Sequence, residues 1–99
     1  MKILLICSAG MSTSLLVTKM NKAADERGVE IEILAHGIAA SKRFLDQVDI
    51  VLLGPQVRFL KDEMAKATSV PVQVINMMAY GRMDGARVLE DALKELGQA

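Results

Sequence analysis

The sequence predicts an α/β fold: an open four-stranded parallel sheet in the order 2-1-3-4, with helices on both faces. Three features point there. Ile3 to Ile6 and Ile50 to Leu53 are continuously apolar, as strands buried on both faces are. Val29 to Ile33 and Val72 to Ile75 mix polar residues into an apolar run, which suits edge strands covered on one side. Helix-period stripes fill the gaps between these segments, and alternation of strand and helix favours parallel strands joined by right-handed crossovers.

The elements follow in order. Strand one runs into Cys7 and a stretch rich in small residues, Ser8-Ala9-Gly10-Met11-Ser12-Thr13-Ser14. From about Ser12 to Arg27, Leu16, Met20 and Ala23 recur at helical spacing, and Gly28 stands where a C-terminal stop belongs. In Val29-Glu30-Ile31-Glu32-Ile33 the glutamates mark the solvated face of strand two. Ile38, Ser41, Leu45 and Val48 suggest a short second helix. After strand three, Gly54-Pro55-Gln56 turns the chain. Val57, Leu60, Met64 and Ala67 then form a third stripe, ended by Thr68-Ser69 before Pro71. In the last helix Leu89, Ala92, Leu93 and Leu96 share a face, Asp84 is placed to cap, and Glu90 and Lys94 have ion-pair spacing.

Composition narrows the function classes. Ninety-nine residues suit one compact unit, a single domain over residues 1–99, and 52% hydrophobic with 24% charged residues suits a soluble globular chain. Lysine plus arginine equal aspartate plus glutamate at 12 each, so no net field recruits nucleic acid or an anionic membrane. At 3% aromatic there is no stacking platform for bases. The apolar run after Met1-Lys2 is too short for a signal peptide or a membrane span. One cysteine makes no internal disulfide and suits a reducing cytoplasm. No cofactor and no metal are expected.

In a 2-1-3-4 sheet the chain reverses direction between strands one and three, and ligands bind outside the carboxyl ends of the strands at such a reversal. Cys7 and Gly54-Pro55-Gln56 flank that crevice. A thiol there faces the start of a helix, where N–H groups lack intrahelical partners and favour anions, a thiolate among them. A phosphoryl group on the sulfur needs several convergent donors. The backbone of Ser8, Ala9, Gly10, Met11, Ser12 and Thr13 can curl around it as a nest, and the hydroxyls of Ser8, Ser12, Thr13 and Ser14 add donors. The bland alternative is a small buried cysteine followed by an N-capping serine. Thiol phosphatases and arsenate reductases of similar architecture carry Cys-x5-Arg, whose arginine clamps the oxyanion. Here that position is Thr13, and the stretch holds no cation. Amide dipoles and hydroxyls without a cationic clamp favour a carrier over a hydrolase. A hydrolytic thiol phosphatase and a non-catalytic anion-binding regulatory module stay open as alternatives.

At these residues the chain resembles the sugar-specific IIB component of the bacterial phosphoenolpyruvate-dependent phosphotransferase system, in its lactose/cellobiose/chitobiose branch and nearest the cellobiose type. The likeness spans nearly the whole chain. It is most specific in Cys7-Ser8-Ala9-Gly10-Met11-Ser12-Thr13-Ser14-Leu15-Leu16, Val51-Leu52-Leu53-Gly54-Pro55-Gln56 and Tyr80-Gly81-Arg82-Met83-Asp84-Gly85. The resemblance implies a cytoplasmic phosphocarrier with the architecture of low-molecular-weight tyrosine phosphatases. Cys7 would take a phosphoryl group from a phosphohistidine of the IIA partner and give it to a disaccharide held by the membrane IIC transporter. The stretch after Cys7 would be the phosphate cradle.

Other residues are weighed beside these. Gln56 is expected to contact the loop or its phosphate, and Pro55 to shape the turn. His36, the only histidine, belongs at the carboxyl end of strand two and reads as a solvated loop residue rather than an acid/base group. Arg58 reads as a solvated helix start before a phosphate ligand, and Arg82, Lys42 and Arg43 as solvated charges. Met11, Met77, Met78 and Tyr80 fall near one rim. Of these Met77 and Met78 are assigned to the core and Met11 to the exposed loop tip.

Overall fold

The computed structural model describes residues 1–7 and 10–97, and within them not the side chains of Gly10, Met11 and Ser12. Its elements are β1 (Lys2–Ile6), α1 (Gly10–Arg27), β2 (Glu32–His36), α2 (Ile38–Ser41), a 3-10 turn (Lys42–Phe44), β3 (Ile50–Leu53), a 3-10 segment (Pro55–Leu60), α3 (Lys61–Ala67), β4 (Val72–Val74), α4 (Met77–Gly81) and α5 (Gly85–Glu95). All pairings are parallel and the strand order is β2-β1-β3-β4. The fold class and strand order are those expected from the sequence.

Side chains on a strand alternate between faces, and this divides the core in two. Ile3, Leu5, Ile50 and Leu52 face one side with Leu16 and Met20 of α1 and Leu89 and Leu93 of α5. Leu4, Ile6, Val51 and Leu53 face the other with Val57, Leu60 and Met64. Every residue from Ile3 to Ile6 and from Ile50 to Leu53 is 0% exposed, which is why neither run tolerates a polar interruption. Cys7 continues the parity of Ile3 and Leu5 and lies on the α1/α5 side.

Local chemistry moves several boundaries. Strand two is Glu32–His36 rather than Val29–Ile33. Gly28 adopts φ +69°, its N–H donates to the Asp25 carbonyl (3.2 Å), and the Val29 N–H donates to the Ala24 carbonyl (2.9 Å). These two bonds form a Schellman cap. Val29 therefore closes α1, and the ladder begins only where the Glu32 N–H reaches the Met1 carbonyl (2.9 Å). The second helix stops at Ser41, whose hydroxyl donates back to the Ile38 carbonyl (2.7 Å), and the chain tightens into the 3-10 turn. Leu45 and Val48 are buried but lie beyond the helix. The third stripe divides at Val57, whose φ/ψ of −117°/23° breaks the helical path inside the 3-10 segment. α1 starts at Gly10, two residues before the expected Ser12.

One helix was not foreseen. Asn76 caps α4 by accepting from the Met78 and Ala79 N–H groups, each at 3.0 Å. α4 holds Ala79 and Tyr80 inward and leaves Met77 and Met78 exposed at 60% and 64%. This corrects their assignment to the core: a one-turn helix cannot bury four consecutive side chains.

α5 matches its pattern. The Asp84 carboxylate accepts from the Arg87 N–H (3.1 Å), and Lys94 pairs with Glu90 at 3.0 Å, where the ammonium holds the exposed carboxyl below its usual range. α5 crosses α1 so closely that a Cβ on Gly85 would collide with the backbone of Lys19 and Met20. Gly85→Ala is therefore expected to lower stability by about 1–3 kcal/mol through overpacking, read as a lower urea midpoint. Ala86→Ser, one residue on at an exposed position, should leave the midpoint within error.

Candidate functional site

The site is built where β1 and β3 end side by side. The Cys7 N–H donates to the His36 carbonyl (3.3 Å), the Gly54 N–H to the Ile6 carbonyl (2.9 Å), and the Ile75 N–H to the Leu53 carbonyl (2.8 Å). These bonds extend the ladder one step beyond each strand. They hold Cys7 between β2 and β3, 6% exposed. Gly54 has ordinary extended torsions (φ −61°, ψ 152°), so backbone freedom is not what requires glycine. Space is: a Cβ there would lie 3.0 Å from the Cys7 Sγ and 3.2 Å from the Gln56 Oε1.

The structure brings Cys7, Thr13, Gln56 and Tyr80 together from four parts of the chain. The Tyr80 hydroxyl donates to the Cys7 Sγ at 3.8 Å across a sequence separation of 73 residues. Burial pushes the Tyr80 phenol above its usual range. The hydrogen bond to the sulfur and the charge that the sulfur can carry push the same way, while hydrogen bonds from Gln56 and Thr13 pull it down. Thr13, the position at which a Cys-x5-Arg protein has its cation, is a buried residue against this phenol. Gln56 is exposed with its amide turned to the same cluster.

The remaining candidates distribute as follows. Ser8 and Ala9 lie outside the described residues, as do the side chains of Gly10, Met11 and Ser12. Gly10 to Ser14 form the start of α1 rather than a loop before it, so Met11 is not at a loop tip. Ser14 is exposed and its carbonyl accepts from the Thr18 hydroxyl (3.0 Å). His36 is the last residue of β2, not a loop residue. Its half-buried ring stacks on Phe44 (centroids 4.3 Å apart, planes at 8°), and its backbone carbonyl is what reaches Cys7. Lys42 pairs with Glu63 at 3.3 Å and Arg43 and Arg82 are exposed. Arg58 lines a cleft beside the thiol, together with Pro55, Gln56, Phe59, Met77, Tyr80 and Gly81. That lining has one cation and no carboxylate, and Phe59 is 72% exposed.

Sequence reasoning placed Tyr80 only on the rim and missed its contact with the sulfur. The available signal was that the chain's only tyrosine sits at the head of the third motif.

A parallel α/β fold with a cysteine at its switch point defines a class shared by thiol phosphatases and thiol phosphocarriers. The comparisons with known proteins separate these. The family described as "PTS system, Lactose/Cellobiose specific IIB subunit" matches residues 2–91. The oligo-beta-mannoside-specific EIIB component of Bacillus subtilis (strain 168) is 52% identical over 95 residues, covering 93% of this chain and 92% of that protein. The galactose-specific EIIB component of Lactococcus lactis subsp. cremoris (strain MG1363) is 49% identical over 98 residues, 91% of each chain. The solution structure of the cellobiose-specific phosphotransferase IIB component from Borrelia burgdorferi aligns with a TM-score of 0.78 at 39% identity, over 96% of this chain and 90% of that one. A longer relative, the lactose-specific EIICB component of Streptococcus mutans, is 35% identical over 66 residues, 67% of this chain and 12% of that protein. The chain belongs to the lactose/cellobiose-specific IIB subunits of the sugar phosphotransferase system, and with them it is a phosphotransferase.

Tyr80 provides a direct probe of the cluster, because the chain has one tyrosine and no tryptophan. Its phenolate absorbance should titrate with a midpoint above the usual value near 10, and the midpoint should fall in Cys7→Ala, which removes two of the upward causes. The folded protein holds this proton more tightly than the unfolded chain. The associated stability is therefore full below the unfolded value and lost as pH rises through the folded one. A midpoint at or below 10 in the folded protein would contradict the geometry.

Proposed function

We propose that the chain is a cytoplasmic phosphocarrier, with residues 1–99 acting as a single IIB unit. Cys7 accepts a phosphoryl group from a phosphohistidine of a IIA protein and passes it to a disaccharide of the cellobiose, chitobiose or lactose class bound by a membrane IIC transporter. The observation that supports this best is the Cys7 thiol at the carboxyl end of β1, ahead of α1, with Thr13 rather than a cation at the clamp position. Ser8, Ala9, Gly10, Met11, Ser12, Thr13 and Ser14 form the phosphate cradle in this reading, and Gln56 contacts it from the opposite strand end.

The two steps balance as in-line displacements. In the first, the Cys7 thiolate attacks phosphorus, the S–P bond forms as the N–P bond breaks, and the imidazole leaves with the electron pair. In the second, a sugar hydroxyl oxygen attacks, the O–P bond forms as the S–P bond breaks, sulfur leaves as thiolate, and the hydroxyl proton passes to a base on the side of the IIC protein that holds the sugar. Nothing on this side of the reaction shuttles a proton, so rate comes from positioning and charge stabilisation. The IIC partner is supported by the longer relative named EIICB, and by the absence, among the described residues, of a helix long and apolar enough to cross a membrane. The similar proteins are named for different sugars, which supports leaving sugar choice to the transporter.

Incubation with phosphoenolpyruvate, the general phosphotransferase proteins and a cognate IIA should add one phosphoryl mass that is absent in Cys7→Ser. Steady phosphate release from an aryl phosphate would instead identify a phosphatase, and no modification at all a binding module. Gly54→Ala should fold yet accept phosphoryl groups about tenfold or more slowly, since displacing a reacting atom by a fraction of an ångström is costly. A rate equal to the unsubstituted protein would remove the spatial role assigned to Gly54.

A further inference from the structure

The Tyr80 hydroxyl is held in a place that packing alone does not require. It is nearly buried at the inner face of α4, and its donor reaches the Cys7 Sγ at 3.8 Å. Sulfur is a weak acceptor, whereas an anionic oxygen accepts a charge-assisted bond roughly twice as strong as a neutral one. The groups that face the phenol are the Cys7 thiol at the end of β1, Thr13 from α1 and Gln56 from the 3-10 segment, with Arg58 lining the adjoining cleft. Of these, only what Cys7 bears changes its charge during a transfer cycle.

We propose that Tyr80 is a positioning residue that distinguishes a loaded from an unloaded Cys7: its hydroxyl donates to the bare sulfur and turns to an oxygen of the anionic group once the sulfur carries one. The inference rests on the phosphocarrier reading of Cys7. No bond to Tyr80 forms or breaks, and its proton stays on the phenol throughout. The weak bond to the neutral thiol of the resting protein is replaced by a stronger one to the anionic group in the loaded state, so loading is favoured over the resting thiol and the phosphoryl group is oriented from the α4 side. Thr13 and Gln56 hydrogen-bond the same phenol oxygen.

The test has two arms. In the first, Cys7 is alkylated with iodoacetate, which leaves an anionic carboxymethyl group, or with iodoacetamide, which leaves a neutral group of similar size. The phenolate midpoint of Tyr80 is then read by absorbance. The anionic adduct should raise the midpoint above the neutral one by about one pH unit, and equal midpoints would overturn the inference. In the second, the equilibrium occupancy of phosphorylated Cys7 at fixed phosphoenolpyruvate and pyruvate is compared between the unsubstituted protein and Tyr80→Phe, alongside their urea midpoints. Loss of one charge-assisted bond should lower the loading constant about tenfold with little change in the urea midpoint. An unchanged loading constant would overturn the positioning role. Failure of both proteins to accept any phosphoryl group would sink the phosphocarrier reading instead, and the alkylation arm, which needs no partner protein, would still decide whether Tyr80 responds to charge on Cys7.

Discussion

The site depends on how closely two parallel strands can end beside each other. β1 and β3 are hydrogen-bonded along their length, and the ladder continues past their ends through the Gly54 N–H and the Ile6 carbonyl. Pleat geometry then sends the side chain of Cys7 toward the position a side chain at residue 54 would occupy. Glycine at that position leaves the sulfur its place, and the following Pro55 starts the 3-10 segment that returns Gln56 to the same point. The strand order follows from burial, since only the two wholly apolar runs can sit in the middle. The switch point follows from the order, and the thiol sits at the switch point.

Burial and spacing made the frame legible. The uninterrupted runs at Ile3 to Ile6 and Ile50 to Leu53 identified the central strands because nothing else buries both faces. Asp84, Gly28 and the Glu90–Lys94 spacing identified helix ends and a helix face through local bonds that need no tertiary knowledge. The errors have the opposite character. Val29 was read into a strand because alternation cannot distinguish a ladder from a Schellman cap that packs the next apolar residue inward. The short helices around Ser41 and Val57 were misjudged because 3-10 turns leave the same apolar spacing over one or two turns as an α-helix does. α4 was missed because five residues carry too little period to detect, although its cap Asn76 is visible in the sequence.

The site was legible by halves for a related reason. Cys7 and Gln56 stand at strand ends, where topology alone brings them together. Tyr80 arrives from a helix that had not been recognised, so its inward direction could not be inferred. The third motif also serves two purposes. Tyr80 reaches the sulfur, while Asp84 caps α5 and Gly85 permits its close crossing with α1. The contact with the sulfur and the close helix crossing are written within six residues, Tyr80 to Gly85.

On the proposed reading, the neutral donors around the thiol bear on what the site does with a phosphoryl group. A guanidinium at the Thr13 position would hold an oxyanion with two parallel charged bonds and stabilise it in every state, including states attacked by water. Thr13 and Tyr80 offer directional bonds without a full charge, and burial of both raises the strength of those bonds by excluding solvent. Proteins that relay a group need the bound state close in free energy to both neighbours in the chain, because a deep minimum stops the relay. On the proposed reading, replacing a cation with a buried hydroxyl pair is how the same architecture trades hydrolysis for transfer. Phe59 and Met77, both exposed, line the cleft that adjoins this phenol, so the hydroxyl pair lies at the boundary between the buried core and an open apolar surface.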